Sequence, residues 1–260
     1  MANFFKNLVT KNSKLSTEQL IMKKTMLSFF VFFVLAGAAF WGWRSLRHSP
    51  AASGKTSTPI RKVLDANESI FNGLLSDKHL AKEYPASKAV NPARVNGDLG
   101  LKTEFDPGTW AMNVIRSKGD TLKIKLEDIK KLPKTEIVFN FKCIEGWSQI
   151  THWGGVKFSE FIKAYGLSEE AEMNYLGLST PDKQYYVGID MPSALHPQTL
   201  LCYELNGQPL PLNQGAPLRL IIPVKYGVKS LKRIGFMYFD NKRTPDYWAD
   251  VKGYDYFSGL

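Results

Sequence analysis

Met26–Trp43 is a run of eighteen residues without a charged side chain, and it restricts the fold of this chain more than any other stretch. A helix of that length crosses the hydrocarbon core of a bilayer, and Trp41 and Trp43 suit its interface. The alternative is a cleaved signal peptide, whose apolar region is shorter and is not closed by Trp-Gly-Trp. We therefore predict a retained single anchor over 26–43, between a tail (1–25) and a linker (44–62).

Basic residues flank this run on both sides. Lys11, Lys14, Lys23 and Lys24 precede it, and Arg44, Arg47 and Lys55 follow it. The excess before the run favours an N-terminus in the cytoplasm. We therefore expect a single-pass membrane protein whose remaining chain lies on the periplasmic side.

Residues 63–260 are numerous enough to form one globular domain with a core of its own and no disulfide. The two cysteines, Cys143 and Cys202, have neither metal-finger nor redox-pair spacing, and the apolar neighbours of Cys202 predict a buried structural role. A net charge of +10 indicates an anionic partner such as lipid headgroups or a phosphorylated cofactor. No basic tract with interleaved aromatic residues occurs, so we predict no nucleic-acid partner.

Apolar periodicity predicts helices and strands in mixed order. The predicted elements are an amphipathic helix within 60–80, a hairpin of strands 110–115 and 121–126, a short helix at 126–132, a strand at 137–141, a helix at 156–165, strands at 174–179 and 185–189, a short helix from 196, and strands at 218–222 and 234–239. Because no βαβ unit repeats, we predict an α+β fold.

Cys143 follows the strand predicted at 137–141, and a loop is predicted after it. Gly146 ends the strand, and the pair Gly154-Gly155 is expected to form a tight turn. A small buried hydrophobe is the common role of a cysteine. In this loop, however, its thiolate could serve as a nucleophile with His152 or His196 as base, or as ligand of a soft metal. The residues alone leave both roles open.

The segment 214–232 has the composition of an anion site. Arg219 offers a planar fork of donors, Ser230 a hydroxyl, and Lys229 and Lys232 two charges. Gly215 and Gly227 permit close backbone approach. Solvated surface lysines are the alternative, and the segment is neither a Walker loop nor a GxGxxG turn.

Five separated motifs carry a resemblance to a known family. They are FKCIEGWSQITHWGGVKFSEFI, ALHPQTLL, YELNGQPLP, GAPLRLIIPVKYGVKSLKRI and TPDYW, in that order between residues 91 and 248. Together they resemble the sulfite-oxidase-like molybdopterin domain, most of all its bacterial branch, the catalytic subunits of periplasmic methionine sulfoxide reductase.

The resemblance implies a cofactor with one molybdenum, one pyranopterin dithiolene and one protein cysteine as ligand. Cys143 matches that cysteine, as both metal ligand and catalytic centre. The positions that match cofactor contacts are Asn96, Thr180, Gln214, Arg219, Ser230, Leu231 and Lys232, and Lys229 is added from its charge. Gln214 stands where the branch has asparagine, the branch's Asn-Asn loop is absent, and Lys23-Lys24 stands in place of a twin arginine.

The loop after Cys143 bears on the substrate. Sulfite oxidases carry an arginine after their ligand cysteine, whereas Gly146-Trp147-Ser148 follows here. A sulfite dianion would lose its hydration without a charge partner. We therefore expect two-electron removal of oxygen from an S-oxide or N-oxide such as methionine sulfoxide, either a small molecule or protein-bound. Trp147, His152 and Trp153 could shape its pocket, and structural packing of both tryptophans is the alternative.

No haem attachment motif occurs in the sequence, so the resemblance implies a separate membrane partner for electron transfer. Three alternatives remain open at this point. They are a sulfite-type oxidase with a cation such as Arg94, a cofactor-free binding module that keeps the fold, and a thiol hydrolase that uses His152 or His196.

Overall fold

The computed structural model describes residues 16–53, 56–74 and 78–260. The chain divides after Pro50 into two units, of which the first contains the N-terminal helix and the second the remaining elements. Four residues used in the predictions, Lys11, Lys14, Lys55 and Leu75, lie outside the described residues.

Seven helices and twelve strands are described. The helices are α1 (Thr17–His48), α2 (Thr58–Leu74), α3 (Leu126–Lys130), α4 (Phe158–Ala164), α5 (Ser168–Ala171), α6 (Met191–Ala194) and α7 (Tyr247–Lys252). The strands are β1 (Ala51–Ser53), β2 (Thr56–Ser57), β3 (Ala111–Ile115), β4 (Thr121–Lys125), β5 (Lys134–Lys142), β6 (Ser148–Lys157), β7 (Tyr175–Ser179), β8 (Tyr186–Asp190), β9 (Leu200–Leu205), β10 (Gln208–Pro209), β11 (Arg219–Ile221) and β12 (Phe236–Asp240).

α1 is long and apolar enough to cross a membrane, a test that an N-terminal signal sequence also meets. It begins at a capping box, in which Ser16 Oγ accepts from the Gln19 amide at 3.3 Å and Gln19 Oε1 accepts from the Ser16 amide at 3.2 Å. The predicted span Met26–Trp43 lies inside the helix, which continues through five residues that we had placed in the linker. α1 is therefore longer at both ends than the uncharged run.

The second unit contains two five-stranded sheets. One has the order β10-β9-β6-β5, with β11 also paired to β9, and the other has the order β4-β3-β12-β7-β8. All neighbouring strands are antiparallel except β3 and β12. Helices and strands thus share one unit without βαβ repetition, and the predicted α+β class is confirmed.

The larger of two apolar clusters lies between these sheets and α4, and a smaller one backs the strand that leads to Cys143. The smaller cluster includes Ile137, Phe139, Trp153 and Cys202, with Phe141 packed against it. Cys202 is fully buried there, and burial strongly raises the pKa of its thiol. Its predicted structural role is consistent with this position.

β5 confirms the strand predicted at 137–141, and Cys143 is the first residue after it. The predicted turn at Gly154-Gly155 is wrong, because both glycines lie within β6. The pairing of β6 with β9 shifts register at this pair. A Cβ atom on Gly155 would lie 2.1 Å from the carbonyl oxygen of Leu201. The glycines are therefore used for close strand contact and not for a turn.

Other predicted boundaries also move. The helix predicted from His196 is wrong: α6 ends at Ala194, capped at its start by the Asp190 side chain, and β9 begins at Leu200. α4 begins at Phe158 because Val156 still pairs in β6. α2 ends at Leu74, so the helix predicted within 60–80 is shorter.

The close strand contact gives a first testable prediction. We expect Gly155→Ala to lower the free energy of unfolding by about 3 kcal/mol, because the β9 backbone must move to admit a methyl group. Chemical denaturation of the full chain in detergent measures it. Gly73→Ala in α2 is the control, since no atom lies within 4 Å of its added Cβ. An unchanged midpoint for Gly155→Ala would contradict the close contact.

Candidate active site

A cleft of about 770 Å³, part of it open to solvent, lies where the end of β5 meets the segment 214–232. The other lining residues come from the loop 94–99, from β6, and from Tyr185 and Trp248. We refer to this cleft as the Cys143 cavity.

A tight turn after β5 directs Cys143 into this cavity. The Gly146 amide donates to the Cys143 carbonyl at 3.0 Å, and the Cys143 amide donates to the Trp147 carbonyl at 2.9 Å. Gly146 has φ +91°, a conformation that favours glycine, so the predicted strand break is also the residue that closes the turn. The cysteine is 7% exposed, and burial raises the pKa of its thiol. A cation or metal at the sulfur would favour the thiolate.

Glu145 brings a carboxylate to the side of this sulfur. Its Oε2 accepts from Trp147 Nε1 at 3.1 Å and from Asn96 Nδ2 at 3.2 Å. Asn96 Nδ2 also lies 3.7 Å from Cys143 Sγ. The Asn96 side-chain amide therefore links the Cys143 sulfur to the Glu145 carboxylate. The sequence analysis did not assign Glu145 to the site.

Arg94 supplies a cation at the mouth of the cavity. Its guanidinium lies 4.5 Å from the centre of the Trp147 ring. The Arg94 amide donates to Gln149 Oε1 at 2.9 Å, and this bond positions the loop against β6. The arginine thus reaches the cavity from a loop remote in sequence from Cys143.

Arg219 is a buried cation with donors left over. Its Nη1 donates to the Gln214 carbonyl at 2.9 Å and to Gln214 Oε1 at 3.2 Å, and its Nη2 donates to the Ser230 carbonyl at 3.2 Å. Arg219 Nε and Ser230 Oγ are buried and have no hydrogen-bond partner among the described residues. Burial lowers the pKa of Arg219 to about 10, so the guanidinium stays charged at neutral pH. Such unsatisfied buried donors indicate an anionic or polar ligand.

Lys232 adds a second cation to the same wall. Its Nζ donates to the carbonyls of Asn96, Gly97 and Asn213 at 2.7, 3.0 and 3.1 Å. Burial, and after it the neighbouring Arg219, lower the pKa of Lys232 to about 7. The lysine ties the loop that carries Asn96 to the segment 214–232.

The residues of the cavity fit a molybdopterin. A soft sulfur donor faces it, and its wall carries two cations and unsatisfied donors for polar groups of a pterin. Within the described part of the chain, no group of three or more His, Cys, Asp or Glu side chains could hold a metal ion. A dithiolene would supply further ligands to a metal at Cys143.

Six of the predicted site residues line the cavity: Asn96, Cys143, Gln214, Arg219, Ser230 and Lys232. Thr180 does not, and its hydroxyl donates to Asp182 at 2.6 Å. The Leu231 side chain is fully buried in the larger apolar cluster, so only its backbone could reach a ligand. Lys229 points away from the cavity and forms a buried ion pair with Asp246, which its charge alone did not reveal.

Neither candidate base lies at Cys143. Side chains alternate along β6, so Trp153 lines the cavity while His152 Nε2 lies 3.0 Å from Glu136 Oε2 outside it. His196 Nδ1 accepts from the Gln198 amide at 3.3 Å, also outside the cavity. This arrangement disfavours a thiol hydrolase. Trp147 and Trp153 line the cavity.

Tyr185 and Trp248 are lining residues that sequence reasoning did not assign. Tyr185 Oη donates to the Val228 carbonyl at 2.8 Å and accepts from Trp248 Nε1 at 2.9 Å. Trp248 is the last residue of the motif TPDYW, and this motif could have indicated that Trp248 belongs to the site. Tyr185 appeared only as the start of a strand.

The lowered pKa of Lys232 gives a second prediction. Below about pH 7 the Lys232 side chain is already charged. Above that pH the lysine is mostly neutral, so binding of an anion is coupled to uptake of a proton by Lys232. We expect the affinity of the cofactor-free chain for inorganic pyrophosphate to fall about fivefold from about pH 7 to about pH 8. Calorimetry measures it, and Lys232→Met should flatten the profile. An equal slope in that variant would assign the titration to another group.

Comparison with known proteins places this geometry in a family. Residues 99–248 match the model of the oxidoreductase molybdopterin-binding domain, which is more than half of the chain. The provisionally named protein-methionine-sulfoxide reductase subunit YedZ1 of Azospira oryzae is 35% identical over 196 residues, 74% of this chain and 73% of the relative. The protein-methionine-sulfoxide reductase catalytic subunit MsrP of Ralstonia nicotianae is 30% identical over 245 residues, 86% of this chain and 71% of the relative.

A solved structure supports the same fold. The sulfane dehydrogenase SoxCD of Paracoccus pantotrophus superposes with a TM-score of 0.50 at 17% identity, covering 56% of this chain and 42% of that chain. The resemblance drawn from the five motifs is confirmed by the family match. The chain therefore belongs to the family of oxidoreductases that contain a molybdopterin-binding domain.

Proposed function

We propose that this chain is a membrane-anchored molybdenum enzyme that reduces a neutral S-oxide such as methionine sulfoxide, free or within a protein. The net reaction consumes two electrons and two protons and yields the sulfide and water. The observation that carries the proposal is that the Cys143 sulfur and the unsatisfied donors of Arg219 and Ser230 line one cavity. The names of the relatives support the choice of substrate.

The cofactor would contain one molybdenum and one pyranopterin dithiolene. Cys143 would bind the metal, and the segment 214–232 would hold the pterin and its phosphate through Gln214, Arg219, Ser230 and Lys232. When bound, such a cofactor supplies the two-electron oxygen-transfer chemistry. The chain itself orients the ligand and limits access of water by walls that include Phe141 and Trp153.

The charges at the mouth favour a neutral substrate. Arg94 lies over the Trp147 ring, and Glu145 accepts a hydrogen bond from Trp147 Nε1. One cation and one carboxylate therefore contact the same side chain. A sulfite dianion would meet the carboxylate as well as the cation, and would recover little of its hydration energy. A sulfoxide needs only a hydrogen-bond donor and an apolar wall. The Trp147 ring offers the wall, and the side-chain amide of Gln149, which also lines the cavity, offers a donor.

α1 would anchor the chain with the second unit on the periplasmic side. Its length and composition and the basic residues before the uncharged run support this orientation. Electrons would then come from a separate partner in the membrane.

A substrate panel tests the proposed reaction. Full-length, molybdenum-loaded protein with an artificial electron donor is expected to reduce methionine sulfoxide much faster than it oxidises sulfite. The same preparation assayed with an artificial acceptor measures the reverse direction. Sulfite oxidation as the faster reaction would overturn the substrate assignment while leaving the cofactor in place.

Arg94 favours a sulfite-type oxidase as the second candidate, because it brings a cation to the cavity. If sulfite is a substrate, Arg94→Gln should lower kcat/KM for it at least tenfold, since a charge-assisted hydrogen bond contributes about 1.5–3 kcal/mol. We expect instead that sulfoxide reduction is the main activity and that it changes less than about threefold in this variant. Parallel assays of both substrates decide between the two.

A further inference from the structure

α2 presents apolar side chains to solvent along one face. The exposed set is Ile60, Val63, Ile70, Phe71 and Leu74, and Val63 and Leu74 are 66% and 63% exposed. At about 100° per residue these five positions fall within an arc of about 100°. They form one stripe, with the half-buried Asn67 between Val63 and Ile70, and we call it the α2 stripe.

The opposite face of α2 is charged and docks on the rest of the second unit. Phe71, at the edge of the stripe, also stacks on Phe257, with the ring centroids 5.7 Å apart. Arg61 donates to the carbonyls of Tyr254 and Ala249, both at 3.0 Å. Arg61 and Glu68 are 8% and 6% exposed. This is the reverse of an ordinary surface helix, which turns its apolar face inward.

Ion pairs fix the helix in this orientation. Arg243 pairs with Glu68 and also, at 2.7 Å, with Asp65, and Tyr175 Oη donates to Glu68 Oε1 at 2.6 Å. Rotating the stripe inward would break these contacts and leave charges unpaired. The α2 stripe therefore stays on the outside of the unit.

The position of α2 in the chain indicates what covers the stripe. Only residues 49–57 separate the end of α1 from the start of α2. Nine residues reach at most about 30 Å when extended, and the antiparallel pairing of β1 with β2 shortens that reach. If α1 spans the membrane, the first turn of α2 stays near the bilayer surface.

We propose that the α2 stripe lies in the lipid interface of the membrane, which rests on the anchoring under Proposed function. A helix with one apolar face and one polar face binds there by burying the apolar face at the boundary between headgroups and acyl chains. Because ion pairs join α2 to the rest of the second unit, lipid contact along the stripe would also hold that unit in one orientation toward the membrane. The linker would then act as a short connection and not as a free tether.

Site-specific lipid quenching tests the proposal on the full, molybdenum-loaded chain. Val63→Cys on the stripe and Ser69→Cys on the exposed polar flank each receive an environment-sensitive fluorophore. Native Cys143 and Cys202 are 7% and 0% exposed, and unsubstituted chain corrects for any label on them. The vesicles contain phosphatidylcholine and phosphatidylglycerol, with or without a nitroxide near the headgroup end of the acyl chain. We expect quenching at least threefold stronger at position 63 than at position 69.

Each other outcome overturns the proposal in a distinct way. Chain that fails to float with the vesicles refutes the anchor and the lipid contact together. Chain that floats but shows equal quenching at both positions refutes the lipid contact alone and leaves the anchor. If the fluorescence at position 63 is not quenched by the lipid nitroxide but changes with protein concentration, the stripe contacts a second copy of the chain.

A charge variant gives an independent check. Val63→Asp combined with Ile70→Asp alters two exposed side chains outside the Cys143 cavity, so molybdenum content and Tm should stay unchanged. A fluorophore at Leu74→Cys in that background should lose most of its lipid quenching. Full quenching there would overturn the role of the stripe.

Discussion

Cys143→Ser is expected to give a folded chain with less than about one hundredth of the normal molybdenum content and no measurable turnover. A hydroxyl oxygen is a poorer donor than thiolate sulfur for a soft metal site, and even loss of a group that only orients a ligand costs about 10–100-fold. The substitution is nearly isosteric, and the side chain faces a cavity, so the fold should survive. Metal analysis of the purified chain, with circular dichroism for folding, measures both quantities.

Cys202→Ala is the matched control for this prediction. Cys202 is fully buried in the smaller apolar cluster and does not line the cavity. Its truncation should lower the free energy of unfolding by about 1 kcal/mol and leave the molybdenum content unchanged. A Cys143→Ser chain that retains its metal, or a Cys202→Ala chain that loses it while still folded, would contradict the assignment of the ligand.

The strand before Cys143 could be predicted because its information is local. The apolar run and the glycine that follows it define β5 and its end without reference to other parts of the chain. The Gly154-Gly155 pair could not be interpreted in that way. Its close contact is made by the Leu201 carbonyl of β9, and the local pattern does not show which distant strand comes close. A glycine pair within an alternating run is therefore a signal for close strand approach as well as for a turn.

In the candidate site, too, residue types could be predicted from the local sequence, whereas side-chain directions could not. The segment 214–232 was predicted as an anion site from its residue types, and the structure brings its arginine, serine and one lysine to the cavity. Lys229 and Lys232 have the same charge and lie three residues apart, yet one pairs with Asp246 in the interior while the other reaches the cavity. The turn of 3-10 helix at Gly227–Lys229 separates their directions, and residue type alone does not reveal this.

Arg94, Tyr185 and Trp248 show why the cavity mouth was harder to predict. They come from three segments far apart in sequence, and each is positioned by a contact with another segment: Arg94 with Gln149, and Tyr185 with both Val228 and Trp248. A cavity formed by several distant loops has no spacing that a single sequence could display. Resemblance to a family supplied the motifs, but the partners of these side chains required the fold.

Arg219→Gln is expected to weaken retention of the cofactor between about 30-fold and several thousand-fold. Truncating one partner of a buried, charge-assisted contact costs about 2–5 kcal/mol. The cofactor-free chain should respond differently, because removing a buried cation without a carboxylate partner also removes its desolvation cost. We therefore expect the Tm of cofactor-free protein to change little while the molybdopterin content of purified protein falls sharply.

Arg233→Gln separates the effect on the ligand from the effect on the fold. Arg233 is 4% exposed, donates to the carbonyls of Ala216 and Leu101 at 3.3 Å and lies over the Phe105 ring, but it does not line the Cys143 cavity. Its replacement should leave the cofactor content of the folded fraction unchanged. If both arginine variants lost the cofactor to the same extent, the unsatisfied Nε of Arg219 would not be a ligand contact, and the cation would serve the packing of the segment 214–232 alone.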